Sequence, residues 1–91
     1  MERLKDIIKA GIEEYTDGCQ VVSFEMCTDT TGAIAIRAVL QDPGAPSTHT
    51  LDFLIIRSDI PKCKDATSTS RVLEDVEFMN WPPRETVRKI F

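Results

Sequence analysis

The chain has 91 residues, 42% of them hydrophobic and 29% charged, which suits one globular domain (1–91) and excludes a disordered or multidomain chain. The 15 Asp and Glu outnumber the 11 Lys and Arg and leave a net charge of −4, so the mean field repels a nucleic-acid backbone. No apolar run approaches the ~20 residues of a membrane span, and the opening residues 1–6 mix both charge signs where a secretory leader needs a continuous apolar stretch. Glu2 is not the glycine that myristoylation requires, and three cysteines, an odd number, fit reduced thiols. The expectation is a small acidic cytoplasmic protein with no membrane partner.

Leu4, Ile7, Ile8, Ile12 and Tyr15 recur at steps of three and four, which predicts a helix over 2–16 with one apolar stripe. Gly18 is its stop, because glycine tolerates a left-handed backbone. The period then becomes alternating. Strands are predicted over 20–28 and 33–41, joined by the three-residue loop Thr30-Thr31-Gly32 with glycine at its left-handed position. That loop pairs Asp29 with Ala33 and sets Glu25 opposite Arg37 and Met26 opposite Ile36. Val22, Phe24 and Met26 then share a face with Ile34 and Ile36, while Val21, Ser23, Glu25 and Cys27 take the other.

Residues 42–47 hold two prolines and a glycine and form a loop. A third strand follows over 48–57, apolar on both faces near its end, as an interior strand is. The polar stretch 58–70, with its Thr-Ser-Thr-Ser run, is expected to be a mobile loop. Residues 71–80 fit a helix through Val72, Val76 and Met79 or a strand through Val72, Val76 and Phe78. A fourth strand is preferred because it gives the third a neighbour. Pro82 or Pro83 opens a C-terminal helix with Val87, Ile90 and Phe91 as its stripe and Arg84, Arg88 and Lys89 exposed.

The candidate chemistry is sparse. Cys19, Cys27, His49 and Cys63 are zinc-ligand types, but no two stand at knuckle spacing, so no metal or cofactor is expected. Cys63, between Lys62 and Lys64, is the best thiol nucleophile, since flanking cations lower a thiol pKa, and His49 is the one histidine available as a base. Glu74, Asp75 and Glu77 form an acidic cluster whose adjacent members point to opposite strand faces, which is a solvated edge rather than a hydrolytic pair. Trp81 with Arg84, Arg88 and Lys89 resembles a weak phosphate-and-base platform. No glycine-rich phosphate loop is present.

These elements assemble as an α+β two-layer sandwich, an antiparallel three- to four-stranded meander with N-terminal and C-terminal helices on one face, in the order α-β-β-β-(β)-α. The outer face then carries Val21, Glu25, Ala35, Arg37, Val39, Asp52, Leu54 and Ile56. Glu25, Arg37 and Asp52 read as a cross-strand ion-pair ladder on that face. So apolar a face marks an interface. The sequence therefore points to a non-enzymatic interaction module (adaptor, inhibitor or assembly subunit) that binds itself or another protein there, with no small-molecule substrate evident. The alternatives are a thiol-dependent enzyme using Cys63 or His49, and a nucleic-acid mimic or binder.

Overall fold

A computed structural model describes residues 2–83 and 88–89. Helix α1 (Glu2–Tyr15) buries Ile8 and Ile12, and its last carbonyls are closed by two left-handed residues, Asp17 (φ 63°) and Gly18 (φ 107°). Strands β1 (Gln20–Thr28), β2 (Ile34–Gln41) and β3 (Thr48–Ile55) follow as an antiparallel meander. The hairpin register is the predicted one, with Glu25 opposite Arg37 and Met26 opposite Ile36. Gly32 takes φ 88° in the turn, and the Asp29 carboxylate accepts the Thr31 and Ala33 amides at 2.8 and 3.0 Å.

One residue spoils the alternation. The ladder slips between Val21 and Ser23, so Val22 bulges outward, 54% exposed, and Val21 turns into the core against Leu40. Val21 was expected on the outer face; the bulge moves it to the inner one.

The stretch 58–70, read from sequence as a loop, carries two helices. Arg57–Lys62 is a short 3₁₀ helix, which ends β3 at Ile55 rather than at Arg57. Helix α2 (Ala66–Val72) starts on a capping box: Asp65 accepts the Ser68 amide at 2.8 Å while Ser68 Oγ accepts the Asp65 amide at 3.1 Å. The Thr/Ser run is amphipathic. Thr69 is fully buried against α1, and Thr67 and Ser70 donate to the Glu14 carboxylate. α2 comes so close to α1 that a Cβ on Gly11 would lie 2.6 Å from Thr69 Cγ2.

Of residues 71–80, Arg71 and Val72 end α2, and β4 (Glu74–Val76) then pairs antiparallel with β3 as the preferred fourth strand; Val76 and Met79 do not share a helix. Most of the expected C-terminal helix lies outside the described residues. Where described, Arg88–Lys89 form β5, a two-residue strand against Cys27 and Thr28 at the end of β1, rather than part of a helix. The sheet order is β4-β3-β2-β1-β5. The second helix of the α+β fold is α2, inserted between β3 and β4. The core lies between the helices and the inner sheet face, where Ile8, Ile12, Met26, Ile36, Phe53 and Ile55 are all fully buried. No helix among the described residues is long and apolar enough to cross a membrane.

Candidate functional site

The predicted interface residues fall into three groups. Val21 is in the core, as above. Ala35 is fully buried and Asp52 is 7% exposed. Glu25, Arg37, Val39 and Leu54 are half-buried, and Ile56 is exposed. The outer face is therefore not bare at its centre.

Its organising feature is an ion pair across β2 and β3. Arg37 and Asp52 are direct cross-strand partners on the outer face. The guanidinium grips the carboxylate with both ends, Nε to Oδ1 at 2.8 Å and Nη2 to Oδ2 at 3.0 Å. From sequence, Glu25, Arg37 and Asp52 read as an ion-pair ladder on a partly exposed sheet; the structure makes the Arg37–Asp52 half a two-pronged clamp with Asp52 buried and Arg37 half-buried.

The clamp also redirects the chain. Continuing the β4 register would set Glu77 opposite Leu51 and Phe78 opposite Thr50. Instead the Phe78 amide donates to Asp52 Oδ2 at 2.9 Å, and its carbonyl accepts from Arg37 Nη2 at 2.9 Å. The backbone thus leaves the edge of β3 and crosses the outer face. Trp81 lies with its ring centroid 5.3 Å from Arg37 Cζ, and Phe78 packs on Trp81 at 5.8 Å. Desolvation acts to raise the Asp52 pKa, but the hydrogen bonds from Arg37 and the Phe78 amide outweigh it, and the carboxylate is held below its ordinary value.

Among the described residues, this detour leaves β3 half covered. β4 pairs with Asp52, Phe53 and Leu54 only. Beside the uncovered part lies a concavity of about 570 Å³ bordered by Arg37, Thr50, Leu51, Asp75, Glu77 and Phe78. Asp75 and Glu77, with neighbouring Glu74, are exposed and give this edge a negative rim.

At the opposite end of the inner face, strand register gathers three further groups. Gln20 pairs with Gln41, and Leu40 with His49, so Cys19, Asp42 and His49 meet at one corner of the sheet. The Cys19 thiol donates to Asp42 Oδ1 at 3.2 Å, and His49 Nδ1 lies 3.7 Å from the same oxygen. The hydrogen bond to Asp42 is the main reason the Cys19 pKa is raised; burial adds to it, and a hydrogen bond from Thr16 opposes it. Sequence analysis singled out Cys19 and His49 but not Asp42. Cys27 and Cys63 do not belong to the cluster.

Cys63 is buried rather than exposed, and burial pushes its thiol pKa up, with the Thr69 hydroxyl opposing. Lys62 is turned to Asp59 at 3.0 Å. The activating effect expected of the flanking lysines is not what governs this thiol. Comparisons with protein-family models, with curated proteins and with solved structures return no match.

Proposed function

We propose that this domain is a protein-interaction module that captures an extended, basic and apolar segment of a partner along the uncovered edge of β3, where the outer face begins. The observation that carries this reading is the departure of the chain at Phe78, which, among the described residues, leaves the edge of Thr48–Leu51 without a strand next to a ready-made concavity. An open strand edge is a template for strand addition, in which main-chain hydrogen bonds supply affinity and side-chain pockets supply selectivity. The other long edge is less suited. β1 bulges at Val22, and its Val21 amide is taken by the Glu13 carboxylate at 3.1 Å. Asp75 and Glu77 on the rim select for Lys and Arg in the incoming segment, and a chain of net charge −4 disfavours a second copy of itself there.

The test is a pair of synthetic peptides in which valine alternates with lysine or with glutamate, titrated into the labelled domain and followed by amide NMR shifts. The lysine peptide should move the resonances of Thr48–Leu51 and Asp75–Glu77, weaken several-fold in the Asp75→Lys/Glu77→Lys variant, and weaken with added salt. Equal response to both peptides, shifts confined to the β1 edge, or a concentration-dependent dimer that moves these same resonances without peptide would each overturn the reading.

A further inference from the structure

We propose that Cys19, Asp42 and His49 form a divalent metal site, built for zinc, at the corner where β1 begins and β2 meets β3. Each residue supplies one donor of the kind zinc takes: a thiolate, a carboxylate oxygen and an imidazole nitrogen. Their ligand atoms all lie within 4.8 Å of one another. With zinc bonds of ~2.3 Å to sulfur and ~2.0–2.1 Å to nitrogen or oxygen, tetrahedral ligands stand about 3.3–3.7 Å apart. Two of the three separations are already close to that range, 3.2 Å from Cys19 Sγ to Asp42 Oδ1 and 3.7 Å from Asp42 Oδ1 to His49 Nδ1.

The backbone holds the donors in place. Cys19 follows the two left-handed residues that end α1, and His49 is in register with the fully buried Leu40. Cys19 is buried, whereas the Asp42 and His49 side chains are 49% and 40% exposed. The site therefore has one fixed anchor and two arms that can close on an ion arriving from solvent. The thiol–carboxylate hydrogen bond occupies the place of the ion: on binding, the Cys19 sulfur loses its proton to solvent and bonds the metal instead. Three protein donors leave the fourth tetrahedral position to water, the pattern of an open rather than a closed structural zinc site. This site is on the other side of the sheet from the Arg37–Asp52 clamp and does not depend on the partner-capture reading.

The experiment uses the whole chain, reduced and stripped with a chelator, titrated with Co²⁺ and then competed with Zn²⁺. The expected result is one equivalent of Co²⁺ giving a thiolate-to-cobalt charge-transfer band and tetrahedral visible bands, both displaced by Zn²⁺. Removing a direct ligand should cost at least the ~10–100-fold that loss of an outer partner costs, so Cys19→Ser and His49→Ala should each weaken binding by more than ~100-fold. Cys63→Ser should leave it unchanged. Octahedral cobalt without a thiolate band, binding lost in Cys63→Ser but kept in Cys19→Ser, or no stoichiometric binding by the unmodified chain would each overturn the assignment. The titration of the unmodified chain decides the matter even where a variant fails to fold.

Discussion

The Phe78 amide donates to the Asp52 carboxylate that Arg37 already holds, so a residue beyond the last turn of the meander is tied to the middle of the sheet. Removing the carboxylate leaves the Phe78 amide and the Arg37 guanidinium without this partner, and a buried group stripped of its partner costs about 1–3 kcal/mol. Arg37 is 30% exposed, so water recovers part of that loss. Asp52→Ala should therefore lower unfolding free energy by about 2 kcal/mol in urea titration. The effect depends on pH. The Asp52 pKa is depressed below 3.8 in the folded chain, so its contribution is complete above that value and is lost as pH falls through the lower, folded one. The stability gap between the native chain and Asp52→Ala should be constant near neutrality and shrink in acid. A gap that widened in acid would contradict the assigned pair.

Trp81 is the only tryptophan, and its ring rests on the Arg37 guanidinium, so it reports on the segment that crosses the outer face. Arg37→Lys keeps the charge but loses the planar fork that reaches Asp52 and the Phe78 carbonyl together. Tryptophan emission should move to longer wavelength in Arg37→Lys, and nearly as far as in Arg37→Ala. Unchanged emission would mean that the crossing segment is held by other contacts.

Replacing a mid-helix glycine by alanine ordinarily stabilises a helix by about 1 kcal/mol. Gly11 should do the reverse. A methyl group there would stand 2.6 Å from Thr69 Cγ2 and 2.8 Å from Thr69 Cβ, so α2 must shift away. Overpacking of this kind costs about 1–3 kcal/mol, and Gly11→Ala should melt at a lower temperature than the native chain. A higher melting temperature would show that α2 is not seated where α1 and Thr69 put it.

Much of the sheet was legible because its signals are local. The alternation of 34–40 and the Gly32 turn together specify the β1–β2 register and set Glu25 opposite Arg37; alternation puts Asp52 on the same face, but its pairing with Arg37 belongs to the β2–β3 register, which the 42–47 loop does not specify. Three further things were not legible. The bulge at Val22 has no sequence mark in the run Gln20-Val21-Val22-Ser23, so strict alternation puts Val21 on the wrong face. α2 hid behind poor helix formers; its one signal was Asp65 three residues before Ser68, a capping box written without the usual glutamate. The Cys19–Asp42–His49 corner is a product of strand register over 23- and 7-residue separations, and Asp42 in a Pro-Gly loop carries no motif of its own.

The three thiols give a prediction that separates the interaction reading from a thiol-dependent enzyme. Cys27 is fully buried, and Cys19 and Cys63 are each 7% exposed. Burial raises the Cys63 pKa, and the hydrogen bond to Asp42 raises that of Cys19, so both hold less thiolate at neutral pH than an ordinary cysteine. Access and ionisation act in the same direction here. In the metal-stripped native chain at neutral pH, each cysteine should react with a soluble disulfide reagent at least ~10-fold more slowly than a small-molecule thiol. All three should react at the model rate once the chain is unfolded in urea. Peptide mapping of the labelled chain assigns the rates. A Cys63 that reacted faster than the model thiol in the native fold would require an activating group that burial and Thr69 do not supply, and would restore the enzyme reading.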